Sequence, residues 1–190
     1  MKQNKPTYLV FALLILASAL YRVWDNRPLG FAPQIAMALF AGAVIRDRKF
    51  SFLVPLISML ISDAIYEVLF RNGLSDIKGF YSGQWLNYAL FTSITFIGFA
   101  INNKKIASIF VGSLAGVAFF FIASNFAVWI GGGWDINNLP YPKTFSGLMT
   151  CYAEAVPFLK GSLYATLAFG AVFFGGYAFF TRKSLVKAKA

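Results

Sequence analysis

The sequence predicts an all-α polytopic membrane protein: one integral domain over residues 1–190, with six transmembrane helices and both termini inside. Three observations carry this. Of the 190 residues, 58% are hydrophobic and only 13% charged, about half the charge of an ordinary soluble domain. The 22 phenylalanines lie along apolar runs, more than a soluble chain of this length would hide. The basic residues gather in short groups between those runs, the arrangement by which a threaded chain sets its orientation.

The first span, 8–23, follows Lys2 and Lys5. A competing reading makes this stretch a signal peptide, with Ala17-Ser18-Ala19 as a cleavage-like triplet. A polar turn, Arg22 to Gly30, leads into the second span, 31–45. Ala32, Ala36, Ala38, Ala41, Gly42 and Ala43 make that span rich in small residues, which let helices approach closely. As a helix it rises about 22 Å, short of a hydrocarbon core of about 30 Å. The third span, 50–70, carries Asp63 and Glu67 four residues apart, on one helical face. A polar loop, 71–84, precedes the fourth span, 85–101. The fifth, 106–130, has Ser108, Gly112 and Gly116 as a packing stripe. The sixth, 161–180, ends in a basic tail.

Residues 131–158 are expected to form a cap between spans five and six. GGGWDINNLPYP (131–142) is too polar and turn-rich to cross a bilayer as a helix. Behind Thr144 as candidate N-cap, Phe145, Leu148, Met149, Tyr152 and Val156 recur at helical spacing. That pattern predicts a short amphipathic helix.

Six spans divide the charges unequally. Lys2, Lys5, Arg46, Arg48, Lys49, Lys104, Lys105, Arg182, Lys183, Lys187 and Lys189 fall on one side. Arg22, Arg27, Arg71, Lys78, Lys143 and Lys160 fall on the other, partly offset by Asp25, Asp76, Asp135 and Glu154. The asymmetry sets N-in and C-in and turns the 131–158 cap outward.

The net charge of +10 does not imply nucleic acid, because no basic face or recognition motif accompanies it. One cysteine and no histidine exclude an intrachain disulfide, a typical zinc site, and Ser-His-Asp or Cys-His catalysis. Gly131–Gly133 is no phosphate loop, since no Lys-Ser/Thr follows and no strand precedes it. No cofactor, metal or enzymatic activity is expected.

The remaining polar and aromatic residues each have two readings. Asp63 and Glu67 are acids within a span, which are costly and usually have a purpose; they pair either with a cationic ligand group or ion, or with water, Arg71 and Lys78. Cys151 is a soft-metal ligand or a small apolar side chain, and Glu154, three residues on, is a polar anchor or solvent-exposed. Trp129, Trp134, Tyr141 and Tyr152 either stack on a flat ligand or form an interfacial aromatic belt. Asn125, near the outer end of span five, bonds a ligand or another helix.

PQIAMALFAGA (33–43), the SD at 62–63, SNFAVW (124–129) and YPKTFSGLMTCYAEAVPFLKGSL (141–163) resemble a family of uncharacterised bacterial inner-membrane proteins. That family looks related to the substrate-binding S-components of energy-coupling-factor (ECF) vitamin transporters, a solitary branch of which takes up cobalamin. The resemblance implies a bacterial inner (cytoplasmic) membrane location, a pocket opening outward, and an energising ATPase module as a partner. S-components usually carry an AxxxA docking pattern on the first helix; here Ala32 and Ala36 supply one on the second segment instead. The cobalamin branch places its cysteine in the first half of the chain, so a cobalt-ligand role does not carry over to Cys151.

The resulting expectation is small-molecule binding and uptake of a vitamin or cofactor precursor. Asn125, Trp129, Trp134, Tyr141, Tyr152 and Asp63 are the expected pocket residues, with Cys151 and Glu154 nearby, and lipid surrounds the bundle. The alternative is a structural or accessory subunit of a larger membrane complex, with the small-residue faces of segments two and five contacting other membrane subunits.

Overall fold

The computed structural model describes residues 5–24 and 26–187. Lys2, Asp25 and Lys189, three of the charges used above for topology, lie outside the described residues. Seven helices make up the described chain: α1 (Lys5–Val23), α2 (Gln34–Val44), α3 (Arg48–Arg71), α4 (Gln84–Phe99), α5 (Ile106–Ile130), α6 (Phe145–Glu154) and α7 (Val156–Lys187). Among the described residues there is no strand, only an isolated bridge between Trp134 and Pro140.

The bundle is built around its shortest apolar helix. Every residue of α2 except Ala43 is buried, and α2 packs against α3, α4, α5 and α7. Small residues make this possible. A Cβ at Gly42 would collide with the Thr95 carbonyl of α4, and one at Gly98 with the Leu39 carbonyl of α2. From α5, Gly116 faces Leu39 and Ile35, while Gly112 faces Ile101 of the preceding turn. The glycines of the α5 stripe therefore pack within the chain. Ser108 does something else, its Oγ accepting from the Asn102 N–H at 2.9 Å to fix that turn. Phe40 meets Phe11, Phe173, Phe174 and Tyr177, which ties α1 and α7 to the same centre.

Several boundaries differ from the sequence reading, for local reasons. The second helix starts at Gln34 rather than 31, leaving 31–33 in the turn. The third starts at Arg48 because the Asp47 carboxylate accepts from the N–H groups of Lys49 and Phe50, a cap that stabilises by about 1 kcal/mol. The cap segment 131–158 is shorter than expected. Only Ala155 separates α6 from α7, which begins at Val156 rather than 161; Pro157 sits in its first turn, where no backbone donor is required. The basic tail continues α7 to Lys187.

Three described helices are long and apolar enough to cross a membrane: α3, α5 and the Val156–Thr181 part of α7. Phe11–Val23 and α2 are shorter apolar helices. Outward-facing side chains include Phe110, Val111, Leu114 and Ile122 of α5, with Ile106 86% exposed. A helix that is apolar on its outer face as well as its inner one suits lipid.

Candidate functional site

The α1–α2, α3–α4 and α5–α6–α7 connections meet at one end of the bundle. Their first anchor is Asp63, only 2% exposed. Arg22, in the last turn of α1, forms an ion pair with Oδ1 and also donates to Ser62 Oγ. Gln84 Nε2 and Tyr88 OH donate to Oδ2, the latter at 2.6 Å. Tyr66 OH donates to the Arg22 carbonyl at 2.7 Å, and the guanidinium lies over the Tyr66 ring. A buried carboxylate persists only when paired and hydrogen-bonded, and here both oxygens have protein donors. Asp63 thus locks α1, α3 and α4 together, using Arg22 rather than the Arg71 or Lys78 of the alternative reading. Glu67 instead pairs with Arg71 at 2.8 Å and accepts from the Phe80 N–H at 3.3 Å, at the exposed side.

The 26–33 turn is fastened to α7. Gly30, at φ +70°, lies so close to the Phe158 carbonyl that a Cβ there would collide, and Gly161 is similarly close to the Leu29 carbonyl. Ser162 Oγ donates to the Gly30 carbonyl at 3.3 Å.

The cap is held by its acids. The Asp135 carboxylate accepts from the N–H groups of Asn137 and Leu139 at 2.9 and 2.8 Å. Asn138 adopts φ 58°, a left-handed conformation that asparagine tolerates. Glu154 Oε2 accepts from Tyr141 OH at 2.6 Å and from the Ile136 N–H at 3.3 Å, joining the 131–142 loop to α6. Thr144 caps α6 through Gly147 N–H at 3.1 Å, at the position the sequence indicated. Trp129 Nε1 donates to the Pro142 carbonyl at 2.8 Å, and Lys143 reaches back to the Trp129 carbonyl.

Two cavities adjoin at this end. The smaller, of about 380 Å³, is lined by Asn125, Trp134, Tyr141, Cys151 and Glu154, together with Ser124, Asp135 and Ser162. The larger, of about 620 Å³, is lined by Arg22, Arg27, Gln34, Asp63, Gln84 and Asn87 among polar groups, with Trp24, Tyr66, Tyr81 and Phe91. Phe120 and Phe158 border both.

The expected site residues are therefore divided. Asn125, Trp134, Tyr141, Cys151 and Glu154 share the smaller cavity, and Asp63 borders the larger. Trp129 and Tyr152 line neither; Tyr152 OH donates to the Ile122 carbonyl at 3.0 Å and its ring packs on Phe121, fixing α6 to α5. The Asn125 amide nitrogen bonds the Phe121 carbonyl of its own helix at 2.7 Å, so its donor serves α5. Burial raises the Cys151 thiol above its ordinary range; the Tyr141 hydroxyl opposes this and the Glu154 charge adds to it. Cys151 Sγ donates to the Asn125 carbonyl at 3.5 Å. Burial likewise raises the Tyr141 hydroxyl, reinforced by its bond to Glu154.

Sequence reasoning missed Gln34, Gln84 and Tyr88 and treated Arg22 as a topological charge. Gln34 did leave a signal: it is the one polar residue in the run PQIAMALFAGA.

These features define an all-helical protein whose apolar helices surround two adjoining cavities at one end. The chain belongs to DUF6580, a family of unknown function, whose model matches residues 2–188. No curated protein and no solved structure matches the chain.

Proposed function

We propose that this is a six-span inner-membrane protein, N-in and C-in, that binds a small molecule at its outer end and takes part in its uptake, as an S-component does. The observation that supports this is the pair of adjoining cavities, about 380 and 620 Å³. Small-molecule sites commonly occupy about 300–1,000 Å³ and combine apolar walls with a few placed polar groups. The work is binding rather than catalysis. Trp134 and Tyr141 contact the ligand from the cap, Phe120 and Phe158 from the bundle, and the 131–144 loop opens to admit it. The sequence contains no phosphate loop, so any ATP use comes from a partner module.

Native mass spectrometry of the gently purified protein tests this. A bound small molecule retained by wild type and lost from Trp134→Ala supports the reading. Lipid alone, or stoichiometric protein partners with no small molecule, favours an accessory-subunit role instead.

A further inference from the structure

The charges bordering the two adjoining cavities are opposite in sign. Asp135 and Glu154 are the charged residues around the smaller one, while Arg22, Arg27 and Asp63 border the larger. Asp63 is taken up by the helix lock: Oδ1 pairs with Arg22, and Oδ2 accepts from Gln84 and Tyr88. Those two charges cancel. Arg27 is left as the uncompensated positive charge on the wall of the larger cavity.

Arg27 is held in place. Its Nε donates to the Arg22 carbonyl at 2.9 Å, and the same carbonyl accepts from Tyr66 OH at 2.7 Å. The residue is half-buried. Its backbone N–H reaches the Trp24 carbonyl at 3.4 Å, so one turn presents both side chains to the cavity. Among the described residues, neither terminal guanidinium nitrogen of Arg27 has an acceptor, and no carboxylate pairs with it. The indole N–H of Trp24, which borders the same cavity, also has no acceptor there. A guanidinium anchored through Nε keeps its terminal edge, a pair of N–H groups that matches a carboxylate or phosphate. Partial burial has removed some of its water, so an anion at that edge gains more than it would at an open surface. Apolar surface continues from there. Phe91 and Phe120, stacked with centroids 4.2 Å apart and planes at 23°, border the larger cavity.

We infer that the larger cavity binds a small organic acid: a carboxylate or phosphate carried on a flat apolar body. The oxyanion accepts from the terminal nitrogens of Arg27, with the Trp24 N–H as a further donor. The body lies against Phe91 and Phe120, the latter bordering the smaller cavity as well. Asp135 and Glu154 repel the anionic group from the smaller cavity, so that end of the ligand faces the 24–30 turn. The inference rests on the small-molecule reading above and names the charge of the ligand and the cavity that holds its charged end.

Equilibrium dialysis of the full chain in mild detergent, against matched micelles, compares 2-naphthoate, 2-naphthyl phosphate and neutral 2-naphthamide. Wild type, Arg27→Gln and Arg27→Lys are measured, each with its melting checked. Wild type is expected to bind at least one of the anions about tenfold or more tightly than the amide, through a charge-assisted pair. Arg27→Gln loses that preference with amide binding unchanged, and Arg27→Lys, keeping the charge without the fork, retains part of it. Should a variant fail to fold, salt tests wild type alone: raising sodium chloride from about 0.05 to about 0.5 M weakens the anions several-fold and spares the amide. An anion preference that survives in folded Arg27→Gln, or that is indifferent to salt, overturns the inference. Amide binding as tight as that of the anions overturns it too, while leaving the cavity a small-molecule site. Displacement of naphthoate by dilute phosphatidylglycerol, but not by phosphatidylcholine, assigns the edge to a lipid headgroup and overturns a soluble acid. Binding of no probe also overturns the inference, and the broader reading is then decided separately by native mass spectrometry of wild type and Trp134→Ala.

Discussion

Asp63→Leu removes, from a site only 2% exposed, the one carboxylate that Arg22, Gln84 and Tyr88 share. Deleting one partner of a buried ion pair costs about 3–5 kcal/mol, because the other charge is left uncompensated. The Arg22 side chain is 20% exposed and regains some hydration, so the lower end, about 3 kcal/mol, is expected. Arg22→Met leaves Asp63 with its two neutral donors and is expected to cost about 2 kcal/mol. The double variant carries no buried charge, and apolar replacement of a whole pair is often near neutral. The two single changes are therefore strongly non-additive, with a coupling of about 2 kcal/mol or more. Unfolding titrations in mixed micelles, followed by circular dichroism, measure all four proteins. Additivity within about 0.5 kcal/mol would refute the claim that this pair locks α1 to α3.

Gly42→Val and Gly98→Val each force apart α2 and α4, since a Cβ at either glycine collides with the facing backbone; each is expected to destabilise by about 1–3 kcal/mol in the same titration, and neutrality of both would contradict the packing. Leu39→Ala, at the fully buried centre of α2, is expected to cost about 2–5 kcal/mol. Alkylation of Cys151 by a small maleimide should be slow at pH 7 and accelerate as pH rises above the ordinary thiol value of about 8.5, because burial raises the thiol and only the thiolate reacts; rapid labelling at pH 7 would contradict this. Glu154→Gln weakens the ties to Tyr141 and Ile136 and should hasten limited proteolysis within 135–139 without a large change in melting; unchanged cleavage would show that the cap is held elsewhere.

Much of the fold was legible because apolar length and turn chemistry are local properties. Thr144 as a cap, the amphipathic α6 and the glycine stripe on α5 all follow from spacing within one element. The central position of α2 was not legible: a short segment with many small residues reads equally as an external docking face or an interior helix, and only tertiary contacts with four helices decide. The site was legible in half. Trp134, Tyr141, Cys151 and Glu154 lie within about twenty residues of one another, so the cap brings them together almost by itself. The Asp63 lock depends on Arg22 and Gln84, from the end of α1 and the start of α4, and no periodicity links those positions. Trp129 and Tyr152 were misleading because an aromatic that buttresses a helix has the same composition as one that faces a ligand.

The proposal to test is that a small molecule sits against Trp134 and Tyr141 in the smaller cavity. The most direct measurement is the melting of purified wild type with and without the small-molecule fraction of a cell extract, beside Ser124→Trp, which places an indole at the wall of the smaller cavity to obstruct it. A ligand at 100 times its dissociation constant stabilises by about 2.7 kcal/mol. The account predicts a rise in wild-type melting that the obstructed variant lacks or shows only weakly. No shift in wild type, or the same shift in both proteins, would contradict it.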